Sequence, residues 1–271
     1  MTHSKQVYQR RELLLNEPTN VILGVERSNV VSGGTSNAVV ASTGSTIKQY
    51  NESSIIPLFV HPDNSTILGS TGSTIESARG SAILGSTNCL IQAQSELDAN
   101  AYSVIVGGSQ ASIITKGLYS AHNTIVGAER SSIQGVTWNS SIIGGTHNSI
   151  DLAANKAIIL GGTFNRIDTD SDDGIIAGGR DHDITNSERG AILGGGTNRI
   201  ANSFGSAIMG GALNTIDGFD FVTMVGCVNV TADQAQTTYV NRLNLAYMAT
   251  SAAGLTVGTV WRNGTVLNVV V

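Results

Sequence analysis

Ile159-Leu160-Gly161-Gly162-Thr163-Phe164-Asn165-Arg166-Ile167 recurs, with small changes, through most of the chain. Ile142-Ile143-Gly144-Gly145-Thr146-His147-Asn148-Ser149-Ile150 precedes it and Ile176-Ala177-Gly178-Gly179 follows. Ile192-Leu193-Gly194-Gly195-Gly196-Thr197-Asn198-Arg199-Ile200 and Ile208-Met209-Gly210-Gly211-Ala212-Leu213-Asn214-Thr215-Ile216 come next. The first glycines stand at 144, 161, 178, 194 and 210, in steps of 17, 17, 16 and 16, and Gly226 adds another 16. Weaker copies run upstream at Leu23-Gly24, Gly33-Gly34, Leu68-Gly69, Leu84-Gly85, Gly107-Gly108, Val126-Gly127 and Gly135. Gly24 to Gly33 and Gly135 to Gly144 are each 9 apart, about half the period, which predicts two short strands in every coil.

The residue types fit a parallel β-solenoid or β-roll with coils of 16–17 residues. Two glycines per coil and abundant β-branched residues both oppose a helix. The apolar pairs ahead of the glycines, with the isoleucine six residues after the first glycine, are expected to stack as inward rows. Asn148, Asn165, Asn198 and Asn214 share one register. They are expected to take the turn conformation and to hydrogen-bond the next coil as an amide ladder.

Composition agrees. Glycine is 32 of 271 residues, while proline is 3 and charged residues are 13%, about half the usual share. Such low charge argues against a disordered tail or a coiled coil. The net charge of −5 leaves no basic footprint for nucleic acid. No apolar run reaches the roughly 18 residues of a membrane span. Met1 to Asn16 lacks the apolar core of a signal peptide, so synthesis in a cytoplasm is expected. Cys89 and Cys227 do not make a disulfide framework, and buried thiols are the plain expectation.

A slender stack of such coils encloses little apolar volume, and three chains around an axis would cover an exposed apolar face. Gly80-Ser81-Ala82-Ile83-Leu84-Gly85 and Gly205-Ser206-Ala207-Ile208-Met209-Gly210 resemble the heads of trimeric autotransporter adhesins. The Ile-x-Gly-Gly-x-x-Asn-x-Ile form is also similar to repeats in bacteriophage tail fibres and other virus fibre proteins. The resemblance covers roughly residues 21–230 and implies a homotrimer of parallel β-rolls, side by side or intertwined. The period is longer than is usual in adhesin heads, and no anchor barrel follows in the sequence, which turns the expectation toward a virus fibre.

Three regions follow: residues 1–20 as an attachment or capping segment, 21–230 as the repeat shaft, and 231–271 as a C-terminal cap. In the last, Trp261, Asn263 and Gly264 mark a hairpin, with Asn263-Gly264 as its turn. That hairpin is expected to act as cap and trimer-locking foot, with a binding tip as the alternative. A proline-bearing interruption from Tyr50 to Asp63 holds Phe59 and His61 and reads as a junction or a binding loop.

Little catalytic chemistry is legible. No nucleophile elbow, P-loop or dinucleotide fingerprint occurs, so no enzyme and no cofactor are expected. Asp168, Asp170 and Asp172 resemble a calcium loop, but Asp173 stands where such a loop needs glycine; a solvated connection is the alternative to a bound cation. Trp138, His147 and Phe164 each precede an asparagine and read as one outward row. With Phe59 and His61 they are the candidate glycan contacts, since aromatic faces near carboxylates and amides suit sugars. Thr35, Thr71, Thr87, Thr137, Thr146 and Thr163 read as a row like that of an ice-binding face, broken by Glu26, Ser109, Glu129, Arg180 and Ala212.

The expected function is therefore a virion fibre or tail component, joined to the particle through its N-terminus and recognising a host surface glycan without inserting into a membrane. A polysaccharide-degrading tailspike, an ice-binding solenoid and a bacterial surface adhesin are the alternatives.

Overall fold

The computed structural model describes residues 21–23, 27–31, 37–48, 64–93, 102–115, 122–241, 248–251, 253–257, 259–263 and 266–270. Phe59, His61, Gly264 and the Tyr50–Asp63 interruption lie outside them, as do residues 1–20. The chain divides into two units, Met1–Tyr239 and Val240–Val271.

The first unit is an all-β parallel solenoid, with no helix among the described residues. Short strands, mostly of three residues, alternate between a thirteen-stranded and an eleven-stranded parallel sheet, so each coil gives one strand to each. Ile158–Leu160, for example, lies in the first sheet between Ser141–Ile143 and Ile175–Ala177. Arg166–Asp168 lies in the second sheet beside Asp183–Thr185. A third line of single-residue bridges runs along the turn between them, through Thr71, Thr87, Ser109, Glu129, Thr146, Thr163 and Arg180. Pairing extends past Val230, where Thr231 bridges Thr215 and Thr238–Val240 ends the first sheet.

The core is two facing columns. The central residue of most first-sheet strands, such as Ile142, Ile159, Ile176, Ile192 and Ile208, has no solvent exposure. Ile133, Ile150, Ile167, Ile184, Ile200 and Ile216 do the same in the second sheet. Isoleucine suits this place because its branched Cβ packs well on a pleated surface with little rotamer freedom to lose. Full burial of each is worth roughly 1.5–3 kcal/mol.

Only one member of each apolar pair is inside, which corrects the expectation that both would be. Side chains alternate along a strand, so Ile142, Ile159 and Ile208 point inward while Ile143, Leu160 and Met209 point out.

Coil length varies at one corner. Two of the 17-residue coils place two successive residues with positive φ after the second-sheet strand, Leu152-Ala153 and Thr169-Asp170. The 16-residue coils place one, Asn186 or Asn202. By contrast, a second-sheet strand begins eight residues after its first-sheet strand throughout, as in Ala82 and Leu90, Ile158 and Arg166, or Ala207 and Thr215.

In the second unit, Val260–Asn263 and Val266–Val269 pair antiparallel, with Trp261 opposite Asn268. Asn263 is opposite Val266, so it belongs to the strand rather than to the expected turn. The Arg262 N–H donates to the Ala249 carbonyl at 2.8 Å and the Val270 N–H to that of Thr259 at 2.9 Å.

Candidate functional site

Inside the first turn, a buried polar side chain accepts a backbone N–H from the next coil. The Asn165 N–H donates to Asn148 Oδ1 at 3.0 Å and the His182 N–H to Asn165 Oδ1 at 3.1 Å. The Asn198 N–H donates to His182 Nδ1, the Asn214 N–H to Asn198 Oδ1 and the Val230 N–H to Asn214 Oδ1, each at 3.1 Å. The amide ladder is present, with His182 as one rung. The asparagines do not take the turn conformation themselves. The residue before each does: His147, Phe164, Thr197 and Leu213 all have φ between 53° and 59°.

The ladder explains the second glycine of the repeat. Gly162 has φ of +82°, and a Cβ there would fall 2.3 Å from Asn165 Nδ2 and 2.4 Å from the Gly179 carbonyl oxygen. Upstream, the same two positions carry small pairs, Ser70 with Ser73 and Ser86 with Cys89, and serine hydroxyls accept the N–H groups of Ser86 and Cys89. Glycine and asparagine thus trade volume across the turn. Asn165→Ala would leave the buried His182 N–H without its acceptor, and is expected to cost about 2 kcal/mol in thermal unfolding.

The two outer faces differ in chemistry. On the second sheet, ion pairs link successive coils: Lys48 with Glu76 at 3.0 Å, and Arg199 with both Asp183 at 3.4 Å and Asp217 at 3.1 Å. Arg166 pairs with Asp168 and, at 3.7 Å, with Asp151, whose carboxyl is pushed up chiefly by burial. On the first sheet, no strand residue is charged. Its third strand position reads Leu23, Val40, Leu68, Leu84, Val106, Val126, Ile143, Leu160, Ala177, Leu193, Met209 and Val225. Leu23, Leu68, Ile143, Leu160, Leu193, Met209 and Val225 are each 41–59% exposed.

The turns form two edges, and the expected aromatic row is split between them. His147 and Phe164 stand on the first edge in successive coils, ring centroids 4.7 Å apart. Trp138 stands on the second, where its backbone N–H donates to Asn155 Oδ1 at 3.2 Å and Lys156 Nζ lies 5.6 Å from its ring centroid. Trp138 precedes Asn139, an exposed residue with positive φ, rather than a rung of the buried ladder. Thr137 leaves the threonine row for the same reason: it is buried, and its Oγ1 accepts from Asn123 Nδ2 at 3.2 Å.

The second edge carries contacts that the motif search missed. Tyr102 stacks on His122 at 5.3 Å, Arg189 lies 5.0 Å from the Phe204 ring, and Phe221 meets Phe204 edge-on at 5.4 Å. Beside the Phe204 contacts a shallow groove of about 350 Å³ is lined by Asp170, Asn186, Glu188, Asn202, Phe204 and Asp220. Their signal in the sequence is weak, because the partners are a whole coil apart.

The three candidate cation ligands have separate surroundings. Asp168 is buried against Arg166, Asp172 Oδ1 accepts the Asn155 N–H at 2.8 Å, and Asp170 is exposed at the groove. No group of three or more His, Cys, Asp or Glu placed to hold a metal occurs among the described residues. Cys89 and Cys227 are both buried and free, and burial pushes the Cys89 thiol up. No protein-family model and no curated protein matches the chain.

Proposed function

We propose that this chain is the shaft of a homotrimeric fibre or spike that attaches a virus or phage to its host by binding surface glycans. The supporting observation is the uncharged outer face of the first sheet. Parallel sheets are almost always covered on both faces, and here the outer column is apolar in every coil while the other sheet is ionic. At about 4.8 Å per coil, twelve positions extend about 50 Å, a stripe of roughly 500 Å². A partner that matches it coil for coil needs the same rise, which a second copy has. Three copies would bury the column around an axis and leave the ionic sheet and the aromatic edges outside.

The C-terminal strand pair serves as the foot that locks the copies, and the N-terminal segment joins the particle. Glycans meet the second edge, where Trp138, Tyr102 and Phe221 expose apolar ring surface and Phe204 lines a groove of amides and carboxylates. Three identical edges would make weak sugar contacts cumulative. The role is adhesive and mechanical, with no bond broken.

The first test is the solution mass by light scattering. Three times the 28.1 kDa of one chain is the expected result. A mass of one or two chains would overturn the trimer.

A further inference from the structure

The amide ladder has one rung that titrates. His182 lies among Asn165, Asn198 and Asn214, is 1% exposed, and is held by a hydrogen bond on each side. Its Nδ1 accepts the Asn198 N–H at 3.1 Å, so the ring is neutral and its proton sits on Nε2. An imidazolium carries hydrogen on both nitrogens and accepts nothing. Two donors would then face each other where the ladder needs an acceptor. An asparagine in the same place cannot fail in this way, because its carbonyl oxygen accepts at every ordinary pH.

We propose that His182 is an acid-sensitive weak point built into the stack: protonation at Nδ1 breaks the side-chain rung between the first turn of its coil and that of Asn198 and loosens that junction. The proton comes from solvent and no other group changes state.

The surroundings favour a neutral ring. Burial pulls His182 below the ordinary imidazole value, against weaker opposing contributions from nearby backbone carbonyls and Asp181. Asp181 itself is exposed and paired with Arg180 at 3.2 Å. The charged residues of the adjoining second-sheet strands, Arg166, Asp183 and Arg199, are engaged in the outer ion pairs. The turns stacked on either side contribute Phe164 and Thr197, neither of which is charged.

The linkage sign follows. A folded-state value below the unfolded one means that the unfolded chain takes up the proton first. Stability is full above about pH 6.5 and falls as the pH drops below it.

His182→Asn puts the commonest rung of this ladder in place of the titrating one. Full-length wild type and variant are melted at pH 7.5 and pH 5.5. The wild type is expected to lose about 3 °C more than the variant between the two. Hydrogen exchange gives a second, local readout. Protection of the Asn198 amide, relative to that of Asn214, which donates to Asn198 Oδ1, is expected to drop about tenfold per pH unit once the ring titrates. Equal acid losses in wild type and variant, or an unchanged Asn198-to-Asn214 protection ratio, would overturn the proposal.

Discussion

Gly211→Ala is expected to lower the melting temperature by about 10 °C, corresponding to about 4 kcal/mol, while Gly210→Ala next door costs about 1 kcal/mol. Both glycines have positive φ, +72° and +82°. They differ in what a methyl group meets. At Gly210 nothing lies within 4 Å, so only the backbone preference is lost. At Gly211 the new Cβ falls 1.9 Å from the Cys227 carbonyl oxygen. That oxygen cannot withdraw cheaply, because it accepts from the Ala212 N–H at 3.0 Å and from Asn214 Nδ2 at 2.7 Å. Moving it opens the contact between two coils. Thermal unfolding of the two variants side by side is the check, and equal losses would mean that the second glycine serves turn conformation alone.

The second large effect concerns assembly. Leu160→Lys combined with Leu193→Lys is expected to convert the proposed trimer to monomers with little change in far-ultraviolet circular dichroism. Both side chains are 43% exposed in the single chain, so charging them leaves the inner isoleucine columns untouched. Between copies, each lysine would be desolvated without a partner, because no strand residue of that face carries charge. In the proposed trimer, six such unpaired charges would meet around one axis. Light scattering reads the outcome. A wild-type trimer whose double variant stays trimeric would place the contact on another face and remove the apolar column as the support for the fibre proposal.

Much of the stack is legible in the sequence, because a repeat multiplies weak local signals. The 9-residue half-spacings give two strands per coil, and the shared register of Asn148, Asn165, Asn198 and Asn214 gives the ladder. Burial sense is harder. Ile142-Ile143 and Ile159-Leu160 are apolar at both positions, and an alternation rule needs a polar partner to choose between them. The apolar outer column erases that contrast, so the most consequential surface is hidden by its own composition.

Trp138 departs from the expected row for a related reason. Both corners contain an outward residue followed by asparagine, and only the neighbouring coil separates the buried Asn148 from the exposed Asn139. The aromatic pairs of the second edge are invisible along the chain, since Arg189 with Phe204 and Phe204 with Phe221 are contacts across coils.

The fixed eight-residue stride across the first turn, set against a variable second corner, divides the molecule into a ruler and a margin. The single-residue bridges and the asparagine ladder are on the ruler, while the margin keeps its coils joined by bonds such as that from the Ser187 N–H to Ser171 Oγ. The segments between Lys48 and Asn64, Ala93 and Tyr102, and Thr115 and His122 all leave from the margin, and Thr43 still bridges Thr71, Thr87 still bridges Ser109 and Ser109 still bridges Glu129 across them. Length added there is not transmitted to the next coil. A lineage of such chains can therefore lengthen, shorten or exchange those segments one at a time without the change propagating into the scaffold.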